Sequence, residues 1–82
     1  MASENLSSRE LPYSTEAEKA VLGGIMLKNE TWDIISDLVK EDDFHKEEHK
    51  LIYRTINNLQ DEGKPVDVIT VQEAIEGNGD LP

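Results

Sequence analysis

The stretch His45-Lys46-Glu47-Glu48-His49 has the residue types and spacing of the inverted zinc-protease string H-x-x-E-H. In that chemistry two imidazoles one helical turn apart hold zinc, and Glu48 would act as the general base. Three features oppose it. His49 falls on the same helical period as Ile52, Tyr53 and Ile56, which predicts a core histidine with a hydrogen-bond partner rather than a ligand. His45 falls in or beside a loop and is expected to be exposed. A chain of 82 residues also leaves little room for a third-ligand scaffold and a substrate cleft. The sequence therefore predicts no metal site, with a small metal-dependent hydrolase on His45, Glu48 and His49 as the alternative.

Other reaction chemistries are tested by their spacings. Gly63-Lys64 is followed by Pro65, and position 58 is Asn, so the phosphate loop G-x-x-x-x-G-K-[ST] is absent. There is neither a G-x-S-x-G nucleophile elbow nor a Gly-rich dinucleotide fingerprint. Carboxylates abound, but none is flanked by apolar residues in a way that suggests a raised pKa. No catalytic, cofactor-binding or metal-binding residue is expected, and the segment is read as having no enzyme activity of its own.

Eighteen acidic against eight basic side chains give a net charge of −10. That field repels a phosphate backbone, since nucleic-acid affinity comes from Lys and Arg displacing counterions. Direct DNA binding by the segment is not expected. The acidic runs at 41–43, 47–48 and 61–62 read as a solvated surface, with an acidic adaptor for a basic partner as a further alternative. The absence of cysteine excludes a disulfide framework and points to a reducing cytoplasm. No apolar run approaches the roughly 20 residues of a membrane span, and the N-terminus has no signal-peptide pattern. No membrane contact is expected.

The elements that must position these residues are helical. Residues 1–12 read as a flexible arm and residues 13–82 as one helical domain. Thr15 with Glu18 fits a T-x-x-E capping box, and a helix is expected to run to about Lys28. Asn29 is expected to cap a second helix that places Trp32, Ile34, Ile35, Leu38 and Val39 near one face. Residues 40–46 break the period and read as a loop anchored by Phe44. From Lys46, the positions His49, Ile52, Tyr53, Ile56 and Leu59 recur at helical spacing until Gly63 and Pro65 end the run. Residues 65–71 alternate like a strand through Val66, Val68 and Thr70, but the chain offers no partner strand. A short fourth helix is predicted there instead, capped by Asp67 or by Thr70 with Glu73. It would bury Val71, Ala74 and Ile75 and stop at 77–79. The fold class is all-α, a compact small bundle of about four helices.

The first helix poses a physical question. Between residues 20 and 27 no polar side chain occurs, so it is expected to be surrounded by the other helices. Yet Gly23 and Gly24 each cost about 1 kcal/mol relative to Ala in a helix interior. Ala20, Gly23 and Gly24 lie on one broad side, and the favoured explanation is close helix packing there, with added contacts offsetting the propensity loss. A kink is the competing explanation.

Three blocks together resemble one family. Residues 11–27, LPYSTEAEKAVLGGIML, carry Pro12, Glu16, Ala17, Glu18, Val21, Leu22 and Gly23. Residues 42–59 carry Asp43, Phe44, His49, Ile52, Ile56 and Leu59, and residues 63–71 carry Gly63, Pro65, Asp67 and Thr70. In this order they resemble the N-terminal domain of the DnaB-type replicative DNA helicase, over nearly everything after residue 10. His45 departs from the pattern, which more often has an aromatic residue there. The helical hairpin, linker and RecA-like ATPase that follow in the family are absent from these 82 residues.

The resemblance implies a non-catalytic assembly and docking domain of a hexameric, ATP-dependent helicase that unwinds duplex DNA at the replication fork. Its partners would be other helicase subunits in the collar of the ring, primase and a helicase loader. ATP and magnesium would belong to the missing ATPase domain, and the location would be cytoplasmic. Leu51, on the opposite side of its helix from His49, Ile52 and Ile56, is the candidate self-association surface.

Overall fold

The computed structural model describes residues 14–77. The expected arm at 1–12, the Pro12 and Tyr13 of the first block, and the residues after Gly77 lie outside them. Four α-helices follow one another: α1 Thr15–Leu27, α2 Trp32–Leu38, α3 Glu47–Asp61 and α4 Val68–Gly77, with one-turn 3-10 helices at Asn29–Thr31 and Glu41–Asp43. No strand forms among the described residues. The fold class is all-α, as the periodicity predicts.

The start of α1 differs in detail from the expected box. The N-cap is Ser14, extended at φ −145° and ψ 119°, whose Oγ accepts from the Ala17 backbone N–H at 3.1 Å. Thr15 is already helical, and Glu18 does not reach back to a cap; it turns inward. The reason is register. Glu18 stands four and seven residues before Leu22 and Ile25, so all three share the buried face of α1.

The expectation that α1 is surrounded is also corrected. Leu22 and Ile25 are buried and Val21 and Met26 are half-buried, but Ala20, Gly24 and Leu27 are exposed. Among the described residues, the other helices cover one face of α1 and leave the opposite face uncovered.

Asn29 does not cap a helix by its side chain. Its amide Nδ2 donates to the Ile25 carbonyl at 2.9 Å and the Val66 carbonyl at 2.8 Å, while its Oδ1 accepts from the Val66 N–H at 3.0 Å. The side chain thus ties the end of α1 to the segment before α4. In the short α2, Val39 at the C-cap is buried and Trp32 and Ile35 are half-buried, but Ile34 and Leu38 stand exposed. Only part of the predicted apolar face is used.

α3 is the central element, against which both α1 and α4 pack. His49, Tyr53, Ile56 and Leu59 line its buried face. Gly63, at φ +72°, closes it in a left-handed turn, with Lys64 N–H reaching the Leu59 carbonyl at 2.9 Å, the arrangement that favours glycine after a helix. Phe44 is 1% exposed and anchors the loop before α3, its ring 5.1 Å from that of Tyr53. Ahead of α4, Thr70 N–H donates to Asp67 Oδ1 and Asp67 N–H to Thr70 Oγ1, both at 2.9 Å. This reciprocal pair starts the helix that buries Val71 and Ile75.

Candidate functional site

Two features stand out: a buried polar joint and an open apolar groove. The joint is built on Glu18, which is 1% exposed. One carboxylate oxygen accepts from the His45 backbone N–H at 2.7 Å; the other lies 2.7 Å from His49 Nδ1 and 3.5 Å from the Lys46 backbone N. Burial alone would push the carboxyl pKa up, but the bond from His49, those from the two backbone N–H groups and the charge of His49 together hold it below the ordinary carboxylate range. The acceptor role of the carboxylate places the proton on His49 Nδ1.

The joint ties α1 to the N-terminus of α3, where the first backbone N–H groups of a helix lack partners. Lys46 and His45 precede the first residue of α3, so a carboxylate from another helix satisfies donors there. His49 is the core histidine with a partner that its period predicts, and Phe44 meets its ring edge-on at 6.4 Å. His45 has an exposed side chain, and Glu48 is exposed. The H-x-x-E-H string is therefore split: His49 turns into the core toward Glu18, and His45 sits before the helix begins. Among the described residues no group of three His, Cys, Asp or Glu side chains is arranged to hold a metal ion.

The Gly63-Lys64 pair is used structurally. Gly63 is occupied in the turn closing α3, and Lys64 Nζ pairs with Glu62 at 3.1 Å on the surface.

The groove runs between α1 and α4 over the side of α3. Its volume is about 550 Å3, and Leu22, Gly23, Met26, Ile52, Val68 and Ile69 form most of its walls. A smaller hollow of about 200 Å3 continues from it past Val71 and Ile75. Few polar groups face it: Lys19 and Asp67 stand among the lining residues, with His49.

The close packing expected at Ala20, Gly23 and Gly24 is not made among the described residues. A Cβ placed on Gly23 or Gly24 would meet nothing within 4 Å, and Ala20 is exposed. Leu51 is half-buried and packs against the core, so it is less free than its helical position predicts. Among the described residues, the most exposed large apolar side chains are instead Leu27, Val68, Ile69, Ile34 and Leu38.

Sequence reasoning missed Glu18 and Asn29 as tertiary links. For Glu18 a signal existed in its shared register with Leu22 and Ile25. For Asn29 none did, because its partner, Val66, is 37 residues away.

Comparison with known proteins completes the description. Residues 10–82 match the family described as DnaB-like helicase N terminal domain. The replicative DNA helicase DnaB of Buchnera aphidicola subsp. Baizongia pistaciae is 49% identical over 72 residues, which are 88% of this chain and 16% of that protein. That of Haemophilus influenzae is 47% identical over 68 residues, 83% of this chain and 14% of that protein. The replicative DNA helicase DnaC of Bacillus subtilis is 40% identical over 76 residues, 93% and 16% respectively. The chain spans about one sixth of the length of these relatives.

Proposed function

We propose, since this chain belongs to the DnaB-like helicase N-terminal domain family, that it is a non-catalytic assembly and docking domain of a hexameric, ATP-dependent replicative DNA helicase. On this reading the helicase unwinds duplex DNA at the replication fork, and ATP and magnesium act in another part of the protein. This domain contributes shape to the collar of the ring and a surface for primase and a helicase loader.

The observation that supports the reading best is how the polar and apolar groups are divided. The buried polar side chains Glu18, His49 and Thr55 are engaged in internal hydrogen bonds, while sizeable apolar side chains remain on the surface. Such a molecule is suited to contact rather than to reaction. Candidate contact residues include Leu51, whose outward part remains accessible beside the core.

The test is sedimentation of this chain alone, with helicase subunits and with primase, beside an ATPase assay. Association with subunits or primase, without ATP hydrolysis by the chain alone, is the expected result. Hydrolysis by the chain, or no association with either partner, would overturn the proposal. Leu51→Ala and Leu51→Glu test the narrower role: both are expected to weaken self-association, the second more strongly. Unchanged association in folded variants would remove Leu51 from the interface.

A further inference from the structure

We infer that the outward face of α2 receives a basic amphipathic helix of another protein, at a contact surface separate from the groove. This assignment rests on the docking role proposed above and gives one of its partners a chemistry.

α2 carries four side chains that the rest of the described chain leaves unused. Ile34 and Leu38 are 64% and 53% exposed, and Asp33 and Asp37 are exposed beside them. The members of each pair are four residues apart, about 6 Å along the axis at 1.5 Å per residue. Two rows therefore run side by side, one aliphatic and one acidic. Glu30, exposed one turn before Ile34, lengthens the acidic border. None of Glu30, Asp33 and Asp37 joins an ion pair among the described residues. The nearby cations are engaged elsewhere: Lys40 Nζ donates to the Ser36 carbonyl at 2.6 Å, and Arg54 pairs with Glu41 at 3.4 Å.

This face weakens the helix that bears it. Like charges at i, i+4 repel, and Asp37 lies in the last turn of a seven-residue helix, where the dipole favours a cation. A Lys or Arg supplied by a partner reverses both effects. One exposed aliphatic side chain needs no explanation. Two in a single ridge, bordered by unpaired carboxylates, supply both parts of an interface, an apolar centre and a charged rim.

Charge and shape choose the occupant. A net charge of −10 repels nucleic acid and anionic membrane alike. A second copy meeting this face about a two-fold axis would set Asp33 and Asp37 against the same carboxylates. A ridge of residues four apart fits the groove between side-chain rows of another helix. An extended peptide instead adds to a sheet edge, and no strand forms among the described residues. The platform is already in place: Trp32 and Ile35 pack against the core, with the Trp32 ring 5.2 Å from that of Tyr53. Docking therefore needs no rearrangement of α2. The residues lining the groove all lie outside α2, so the two surfaces can be read apart.

The test titrates the 82-residue chain with a synthetic peptide of about five helical turns, Leu on one face and Lys on its borders. Trp32, the chain's single tryptophan, reports binding by its emission, and amide chemical shifts map the contact. Shifts centred on residues 30–38 and an affinity that falls with added salt are expected. Joint replacement Ile34→Ser and Leu38→Ser should weaken binding about tenfold or more. Asp33→Asn with Asp37→Asn should weaken it about fivefold and flatten the salt dependence. All four positions are exposed, so both variants should unfold at about the wild-type midpoint. A peptide with Glu in place of Lys, and one of the same composition with its apolar period scrambled, should not bind.

Equal binding of either control peptide would overturn the assignment, as would unchanged affinity in the folded Ile34→Ser, Leu38→Ser variant. Shifts confined to the groove would do the same, and concentration-dependent shifts in α2 without peptide would assign the face to a second copy. Sedimentation with helicase subunits and primase reads the docking role separately. Association there while the peptide finds no seat on α2 rejects this assignment alone. A seated peptide without either association rejects those partners and leaves the surface standing.

Discussion

Glu18 shows how one side chain can be misread from its neighbours along the chain. Thr15 and Glu18 have the spacing of a capping box, yet Ser14 caps the helix and Glu18 joins it to α3. Local spacing suggested only the cap; the register that Glu18 shares with Leu22 and Ile25 buries it instead. Since folding lowers the carboxyl pKa below its ordinary value of 4.5, the unfolded chain takes up the proton first on acidification. The stabilisation is present above about pH 4.5 and is lost as pH falls through the lower folded value. Glu18→Gln should cost about 3 kcal/mol, because it removes the buried charge and turns one of the two acceptor oxygens into an NH2 that faces a donor, at either His45 or His49. It should also flatten the acid limb of a stability-against-pH curve, measured by urea unfolding. Tyr53 offers the alkaline counterpart. Burial, with a smaller contribution from the charge of Asp43, raises its pKa to about 12. Folding therefore opposes its ionisation, and stability should decline from about pH 10 toward 12. Tyr53→Phe should remove that decline while costing about 1 kcal/mol for the lost bond to the Val39 carbonyl.

Among the elements, those with repeated apolar spacing were the most legible. The third helix declares itself through His49, Tyr53, Ile56 and Leu59, all buried in α3. The fourth follows from the absence of a partner strand, and its cap from the Asp67 and Thr70 pair. α2 was less legible, because a seven-residue helix turns only part of its apolar face inward and leaves Ile34 and Leu38 outside. Asn29 was illegible as a staple, since hydrogen bonds across 37 positions leave no local trace. It carries a prediction for the joint between α1 and α4. Asn29→Ala leaves the Val66 N–H and carbonyl without these partners beside a side chain only 2% exposed. The expected loss is about 2 kcal/mol, with hydrogen exchange quickening first at Val66. Asn29→Asp restores the acceptor but not the donor, and should recover only part of the loss.

At the scale of the whole molecule, the chain encloses one core and leaves an apolar groove beside it, so its surface and interior substitutions should separate sharply. A domain of this size is held by roughly 4–12 kcal/mol. Ile56, at 0% exposure on α3, belongs to the core cluster that also holds Leu22, Ile25, Val71 and Ile75. Ile56→Ala should cost about 2–5 kcal/mol, both for the lost burial and for the cavity that the surrounding helices cannot close. Leu27→Ser is the counterpart: the side chain is already 90% exposed, so removing it should change the stability of the 82-residue chain by no more than about 0.5 kcal/mol. Denaturant unfolding of both variants at equal concentration reads the contrast directly. A large loss in Leu27→Ser would mean that its side chain is covered in solution, and a small loss in Ile56→Ala would mean that the groove walls collapse inward to fill the core. Either result would contradict the division between a closed interior and an open contact face on which the assembly role depends.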